Sequence, residues 1–198
     1  STIIYKPFFS TDSIFKVEDI DINLLKDINI NKILASKDLI KKINTKNEID
    51  FKSQKFSRNL IDDLNLNINL AYGRLSYVKV IKISESLFTC QGDINLLEEY
   101  PILYFDCSIE TKDIKKVLKK FSIKYKNRNE ILMLNVGGNI NVLNNKINFK
   151  NITASPGYEA SAEDLNYFKH SFENILFDKD FSGIFNLKKI KDFIIEIS

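Results

Sequence analysis

The sequence predicts a mainly β protein, an elongated antiparallel sheet carrying a few short helices, on three observations. Apolar and polar residues alternate at period two in one segment after another, helical period is confined to short pieces, and a turn-plus-strand phrase occurs twice. The alternation is cleanest where Leu64, Leu66, Ile68, Leu70 and Tyr72 are interleaved with Asn65, Asn67, Asn69 and Ala71, the pattern of a half-buried strand with one oily and one wet face. Gly73 supplies a turn, and Leu75 and Tyr77 open the returning strand of a hairpin. A third strand carries Phe88, Cys90, Gly92 and Ile94 on one face, and a fourth carries Leu103, Phe105, Cys107 and Ile109 after the turn-like Glu98 to Pro101 stretch. Upstream, Glu48 to Lys52 alternates through Ile49 and Phe51. Downstream, further strands are expected over 131–136, 139–143 and 146–152, with Asn144 and Asn145 in a tight turn because Asn tolerates positive φ. Two last strands are expected over 183–187 and 192–197.

Three short helices complete the expectation. Thr111 is placed as the N-cap of a helix through Phe121 with Ile114, Val117, Leu118 and Phe121 on one side. Ser36 caps a second that carries Leu39, Ile40 and Ile43, preceded by Leu24, Leu25 and Ile28 in a less regular segment, and a third over about 163–176 gathers Leu165, Phe168, Phe172 and Ile175. The repeated phrase is Gly73 to Val80 against Asn145 to Ile152: a turn residue, a cation, then apolar residues at like spacing. It favours a quasi-linear sheet over a closed domain, with residues 1–198 as one unit and sub-repeats at 48–122 and 131–198. With 198 residues and 44% hydrophobic content the chain can bury a core. It opens at Ser1 without a methionine and is expected to be a segment of a longer protein.

Charge and chemistry exclude several functions. The net charge is +3 with both signs mixed along the chain, which leaves no basic footprint for nucleic acid. Enzyme signals are thin. His170 is the only histidine, on the third helix beside Lys169, so any histidine triad or two-histidine metal site has too few members. Asp62-Asp63 and Glu98-Glu99 are adjacent pairs that point to opposite faces of a strand, which suits solvated turns better than a carboxylate dyad. Gly137-Gly138 lacks the following helix of a phosphate loop and reads as a bulge or turn. No cofactor or metal is expected.

The order of these pieces resembles the AsmA-like C-terminal module. The resemblance is carried by Phe15 to Ile22, Asn47 to Lys52, Asn59 to Asp63, the Leu64 to Tyr72 strand with Gly73-Arg74-Leu75, and Gln91-Gly92-Asp93-Ile94, and it extends over about residues 13 to 155. The segment after Gly157 matches poorly, and the family's frequent double glycine near the third strand is Gln91-Gly92 here. The resemblance implies a sheet curled into a taco-like half-pipe whose concave face holds phospholipid acyl chains. The protein would lie in the periplasm, anchored to the inner membrane by a segment outside this chain, and act in phospholipid transport or outer-membrane homeostasis. An antiparallel sheet with one oily face must cover or curl it, which agrees. About ten strands at roughly 4.8 Å would extend the unit on the order of 48 Å.

Groove residues expected on this reading are Leu64, Leu66, Ile68, Leu70, Leu75, Tyr77, Phe88, Ile94, Leu103, Phe105, Ile109, Ile140, Val142, Ile147 and Phe149. The same alternating face is equally the mark of an ordinary core, which makes a structural or assembly sheet without a lipid ligand the other reading. Cys90 and Cys107 stand out. A hairpin turning about Leu97 to Tyr100 pairs positions whose numbers sum to 197, which sets the two cysteines opposite each other on the apolar face. A disulfide and two reduced, buried thiols both fit that placement.

Overall fold

A computed structural model describes residues 2–4, 9–18, 30–53, 59–124 and 131–197. Ten strands form one sheet in chain order: β1 Thr2–Ile4, β2 Phe9–Val17, β3 Ile43–Lys52, β4 Asp63–Ala71, β5 Arg74–Ile83, β6 Ser86–Asn95, β7 Ile102–Thr111, β8 Leu132–Asn141, β9 Lys146–Ala154 and β10 Tyr158–Glu159. The sheet is open and curved, with β1 and β10 at its two edges and no closure between them. The mainly β expectation therefore holds. All neighbours pair antiparallel except β2 and β3, which are parallel and are joined by a connection that contains helices α1 Ile30–Ala35 and α2 Lys37–Ile40. A parallel pair needs such a crossover, whereas the antiparallel pairs close with turns. Two of those turns have two residues: Tyr72 and Gly73 (φ 51° and 81°), and Ser84 and Glu85 (φ 49° and 68°). Paired positive φ values match the right-handed twist of the flanking strands. Ser84 and Glu85 lack the ease of glycine here, and Asp62 braces them by accepting from the Ser84 amide at 2.6 Å. Asn145 also has positive φ, 55°, in the β8–β9 turn.

Five sequence expectations need correction. Helix α2 ends at Ile40, so Ile43 opens β3 instead of joining the helix, and Ser36 stands at its N-cap position without a side-chain capping bond. The alternating runs 131–136 and 139–143 are a single strand, β8, which continues through Gly137 and Gly138 because β9 takes up a bulge opposite them. Helix α3, Ile114–Lys120, is capped by Asp113, whose carboxylate accepts from the Lys116 amide; Thr111 is the last residue of β7 and accepts from the Asp113 amide at 3.1 Å. The segments 183–187 and 192–197 are not strands. A 3₁₀ turn spans Phe181–Phe185, and helix α5 spans Leu187–Glu196. Leu187, Ile190 and Ile194 recur at helical spacing, and Asn186 caps the first turn by accepting from the Lys188 and Lys189 amides at 3.0 and 3.4 Å. The strand expected over 192–197 gives way because capping and docking decide for helix: Phe193 sits edge-on to Phe172 at 5.4 Å. Helix α4, Ala162–Leu176, falls where expected, with a capping box between Ser161 and Asp164. The segment bearing Leu24, Leu25 and Ile28 lies outside the described residues.

Asn186→Ala is expected to remove about 1 kcal/mol of stability, the ordinary cost of an N-cap. A urea titration followed by circular dichroism checks it; an unchanged midpoint means that α5 is held by docking alone.

The buried core gathers at one end of the apolar face. Ile94, Ile140 and Ile147 from the sheet, with Leu96 and Val142 just past the ends of β6 and β8, meet Leu34 and Ile40 from α1 and α2 and Phe177 at the end of α4. Each such side chain contributes roughly 1.5–3 kcal/mol by leaving water. At the opposite end Phe51, Ile83, Ser86 and Thr111 are buried, as are Val117 and Leu118 of α3. Lys120 ties α3 to that end through Asp62 and the Asn59 carbonyl, both at 3.1 Å.

Candidate functional site

Register decides which side chains share a face. Strand neighbours β3 to β9 align their apolar positions in rows that run across the strands. One row is Thr45, Leu70, Leu75, Ile94, Leu103, Ile140 and Ile147; the next is Asn47, Ile68, Tyr77, Gly92, Phe105, Gly138 and Phe149. A third holds Ile49, Leu66, Lys79, Cys90, Cys107, Val136 and Ile152, and a fourth Phe51, Leu64, Ile81, Phe88, Ile109 and Leu134. The opposite face carries Asn65, Asn67, Asn69, Gln91, Asp93, Asp106, Asn139 and Asn148. Period two thus becomes a sheet with one oily side.

The fifteen expected residues all lie on that side, but not in one setting. Ile94, Ile140, Val142 and Ile147 are buried in the helix-covered core, and Leu70, Leu75, Leu103, Phe105 and Phe149 pack against it. Leu64, Leu66, Ile68, Tyr77, Phe88 and Ile109 lie outside that cluster and are half-buried. Helix α4 docks on β9, where Phe172 meets Phe149 of the second row, whereas Leu66, Ile68, Tyr77 and Cys90, the members of the two central rows on β4 to β6, lie outside the helix-covered cluster. Six spacings of about 4.8 Å give these rows a length near 29 Å. That exceeds the depth of one lipid leaflet's hydrocarbon, about 15 Å of a roughly 30 Å core.

Glycine shapes the floor. Gly92 and Gly138 lie in the second row beneath the rings of Tyr77 and Phe105, their cross-strand neighbours; an added Cβ at Gly138 would stand 2.9 Å from the Phe105 ring, and one at Gly92 2.8 Å from that of Tyr77. The rings therefore lie across the strands. From Phe105 an aromatic chain continues edge-to-face to Phe149 (6.4 Å), Phe172 (5.8 Å) and Phe177 (5.2 Å), which links the rows to the helical cover.

Comparison with protein-family models gives no match, and neither curated proteins nor solved structures give one. Cys90 and Cys107 pair at the register sum anticipated for their hairpin, and their sulfurs are bonded. The Tyr77 hydroxyl lies 3.7 Å from the Cys90 sulfur. Burial raises the Tyr77 phenol above its ordinary pKa and holds the Lys79 ammonium below its own. Lys79 was missed in the sequence because the alternation of β5 was read through its apolar members. The signal was available: the Tyr72-Gly73 turn fixes pairing with β4, and that register puts Lys79 opposite Leu66.

The polar face holds the two described hollows. One, near 360 Å³, lies over Asp12, Lys46, Glu48, Asn67 and Ser76; the other, near 710 Å³, lies over Gln91, Asp93, Tyr104, Asp106 and Lys150. Second-row residues also line both: Ile68 and Tyr77 the first, and Tyr77, Gly92, Phe105 and Gly138 the second. A twisted sheet is saddle-shaped, so each face has a concave direction. His170 is exposed on α4, with Nδ1 2.8 Å from the Asn166 carbonyl oxygen of its own helix.

Proposed function

We propose that this chain is a non-catalytic lipid-binding segment of a periplasmic AsmA-like protein, holding phospholipid acyl chains in transport to, or homeostasis of, the outer membrane. The observation that carries the reading is the pair of central rows, aligned across seven strands, whose Leu66, Ile68 and Tyr77 lie outside the helix-covered cluster. Hydrocarbon laid along them leaves water at about 0.8 kcal/mol per methylene, and the contacts are non-specific enough for sliding. Attachment to the inner membrane belongs to parts outside this chain. A second reading, a structural or assembly sheet without ligand, draws on the nine expected groove residues that belong to or pack against the helical core.

Mass spectrometry of organic extracts from the purified protein separates the two. Phospholipid is expected in the native sample. The double variant Leu66→Asp, Ile68→Asp, which puts carboxylates in both central rows, should retain at least about tenfold less, since losing about three methylene contacts costs about 2.4 kcal/mol. A native sample that is folded by circular dichroism yet empty decides for the structural sheet.

A further inference from the structure

One side chain interrupts the apolar face. By register, Lys79 is the only charged residue on that face among the described strands: its cross-strand neighbours are Leu66 and Cys90, and its same-face neighbours along β5 are Tyr77 and Ile81. It sits in the middle of a ten-residue strand, not at a sheet end. No hydrogen bond or ion pair to a described residue engages its ammonium, whereas the described ion pairs involve lysines and arginine elsewhere. An ammonium without a partner among the described residues, set among Leu66, Tyr77, Ile81 and Cys90, loses hydration that none of them replaces, so a stability argument from those residues gives no reason for it. Its stem lies among the apolar side chains of that face, and burial reaches the ammonium as well. An apolar face with one cation set into it is complementary to one kind of molecule, an acyl chain joined to an oxyanion.

We propose that Lys79 is a headgroup anchor that takes the phosphate or carboxylate oxyanion of an amphiphile whose acyl chain lies along the central rows. Tyr77, two residues away on the same face, puts its hydroxyl on the same side and can donate a second hydrogen bond to that oxyanion. The lowered pKa of Lys79 agrees, because a bound anion restores the charged form that burial disfavours. The assignment rests on the acyl-chain reading and adds a charge preference to it. Lipids would pause where the head meets Lys79 and slide where only chain touches the sheet.

The test is capture of acyl-labelled lipids with identical chains from vesicles by the full chain: phosphatidylglycerol, phosphatidylcholine, and a labelled free fatty acid, with inorganic phosphate as competitor. The native chain should favour phosphatidylglycerol or the fatty acid over phosphatidylcholine by at least about tenfold, the worth of one charged hydrogen bond. Whichever of the two anions is preferred identifies the headgroup source, and phosphate should compete weakly because it brings no chain. Lys79→Met should reduce the preference to near one while phosphatidylcholine capture persists, and Lys79→Gln should do the same if the methionine side chain alters packing. Lys82→Met, on the polar face of the same strand, should leave the preference intact. An equal preference in native and Lys79→Met protein, with all lipids still captured, overturns the anchor and leaves the trough standing. No capture of any lipid by native or variant protein overturns the trough and the anchor with it.

Discussion

Phe177→Ala is expected to remove about 3–5 kcal/mol from the stability of the folded chain, the range for deleting a buried aromatic ring. Phe177 is 7% exposed and closes α4 at the point where helix, 3₁₀ turn and sheet meet. Its ring stacks on Phe181 at 5.6 Å with planes 22° apart and meets Phe172 edge-on at 5.2 Å. Such pairs add about 0.5–1.5 kcal/mol beyond area. The neighbours cannot collapse into the space cheaply, because Ile147 beneath is anchored by its backbone: the Ile147 amide donates to Glu173 at 3.1 Å, and Glu173 also pairs with Lys146. Urea unfolding followed by circular dichroism should show a lower midpoint with the slope unchanged. A loss below about 1 kcal/mol means the C-terminal helices sit loosely on the sheet. In that case the first row would also be open.

The sheet was legible because its information is local. Alternation over Leu64 to Leu70, the Gly73 turn and the Asn144-Asn145 turn each fix a face or a register within a few residues. Cys90 and Cys107 fall opposite each other for that reason. What failed is what depends on distant partners. The C-terminal Phe193, Ile194 and Ile195 satisfy a strand pattern locally, and become helix because Asn186 caps the segment and Phe172 receives Phe193. Gly137-Gly138 reads as a bulge or turn, and the register does shift there, but β8 runs through as one strand because the extra residue of the bulge is taken up on β9, where no local signal marks it. The face itself could be read from sequence, but not which rows the helices cover. Burial of Ile140 and Ile147 and half-burial of Leu66 and Ile68 follow from where Leu34, Ile40 and Phe177 arrive. Lys79 became visible only when every apolar neighbour was assigned to a row.

Gly138→Ala and Gly137→Ala should part company although the residues are adjacent. At Gly138 the added methyl points to the apolar side and meets the Asn148 carbonyl oxygen at 2.5 Å, the Phe105 ring at 2.9 Å and the Phe149 Cα at 3.2 Å. Two of those three are backbone and cannot swing away, so overpacking of about 1–3 kcal/mol is expected. At Gly137 the methyl points to the polar side and meets only the side-chain amide of Asn151, which can rotate into solvent, and the expected cost stays near the surface value of about 0.5 kcal/mol. Urea midpoints compare the two directly. Function separates them as well, because the Gly138 methyl lifts the Phe105 ring from the floor of the second row and narrows the space for hydrocarbon. Gly138→Ala should therefore retain less co-purified phospholipid than Gly137→Ala when both are assayed well below their unfolding midpoints. Equal lipid retention with unequal stability would mean that the ring over Gly138 belongs to the covered core alone, and that the trough ends at the Tyr77 to Gly92 contact.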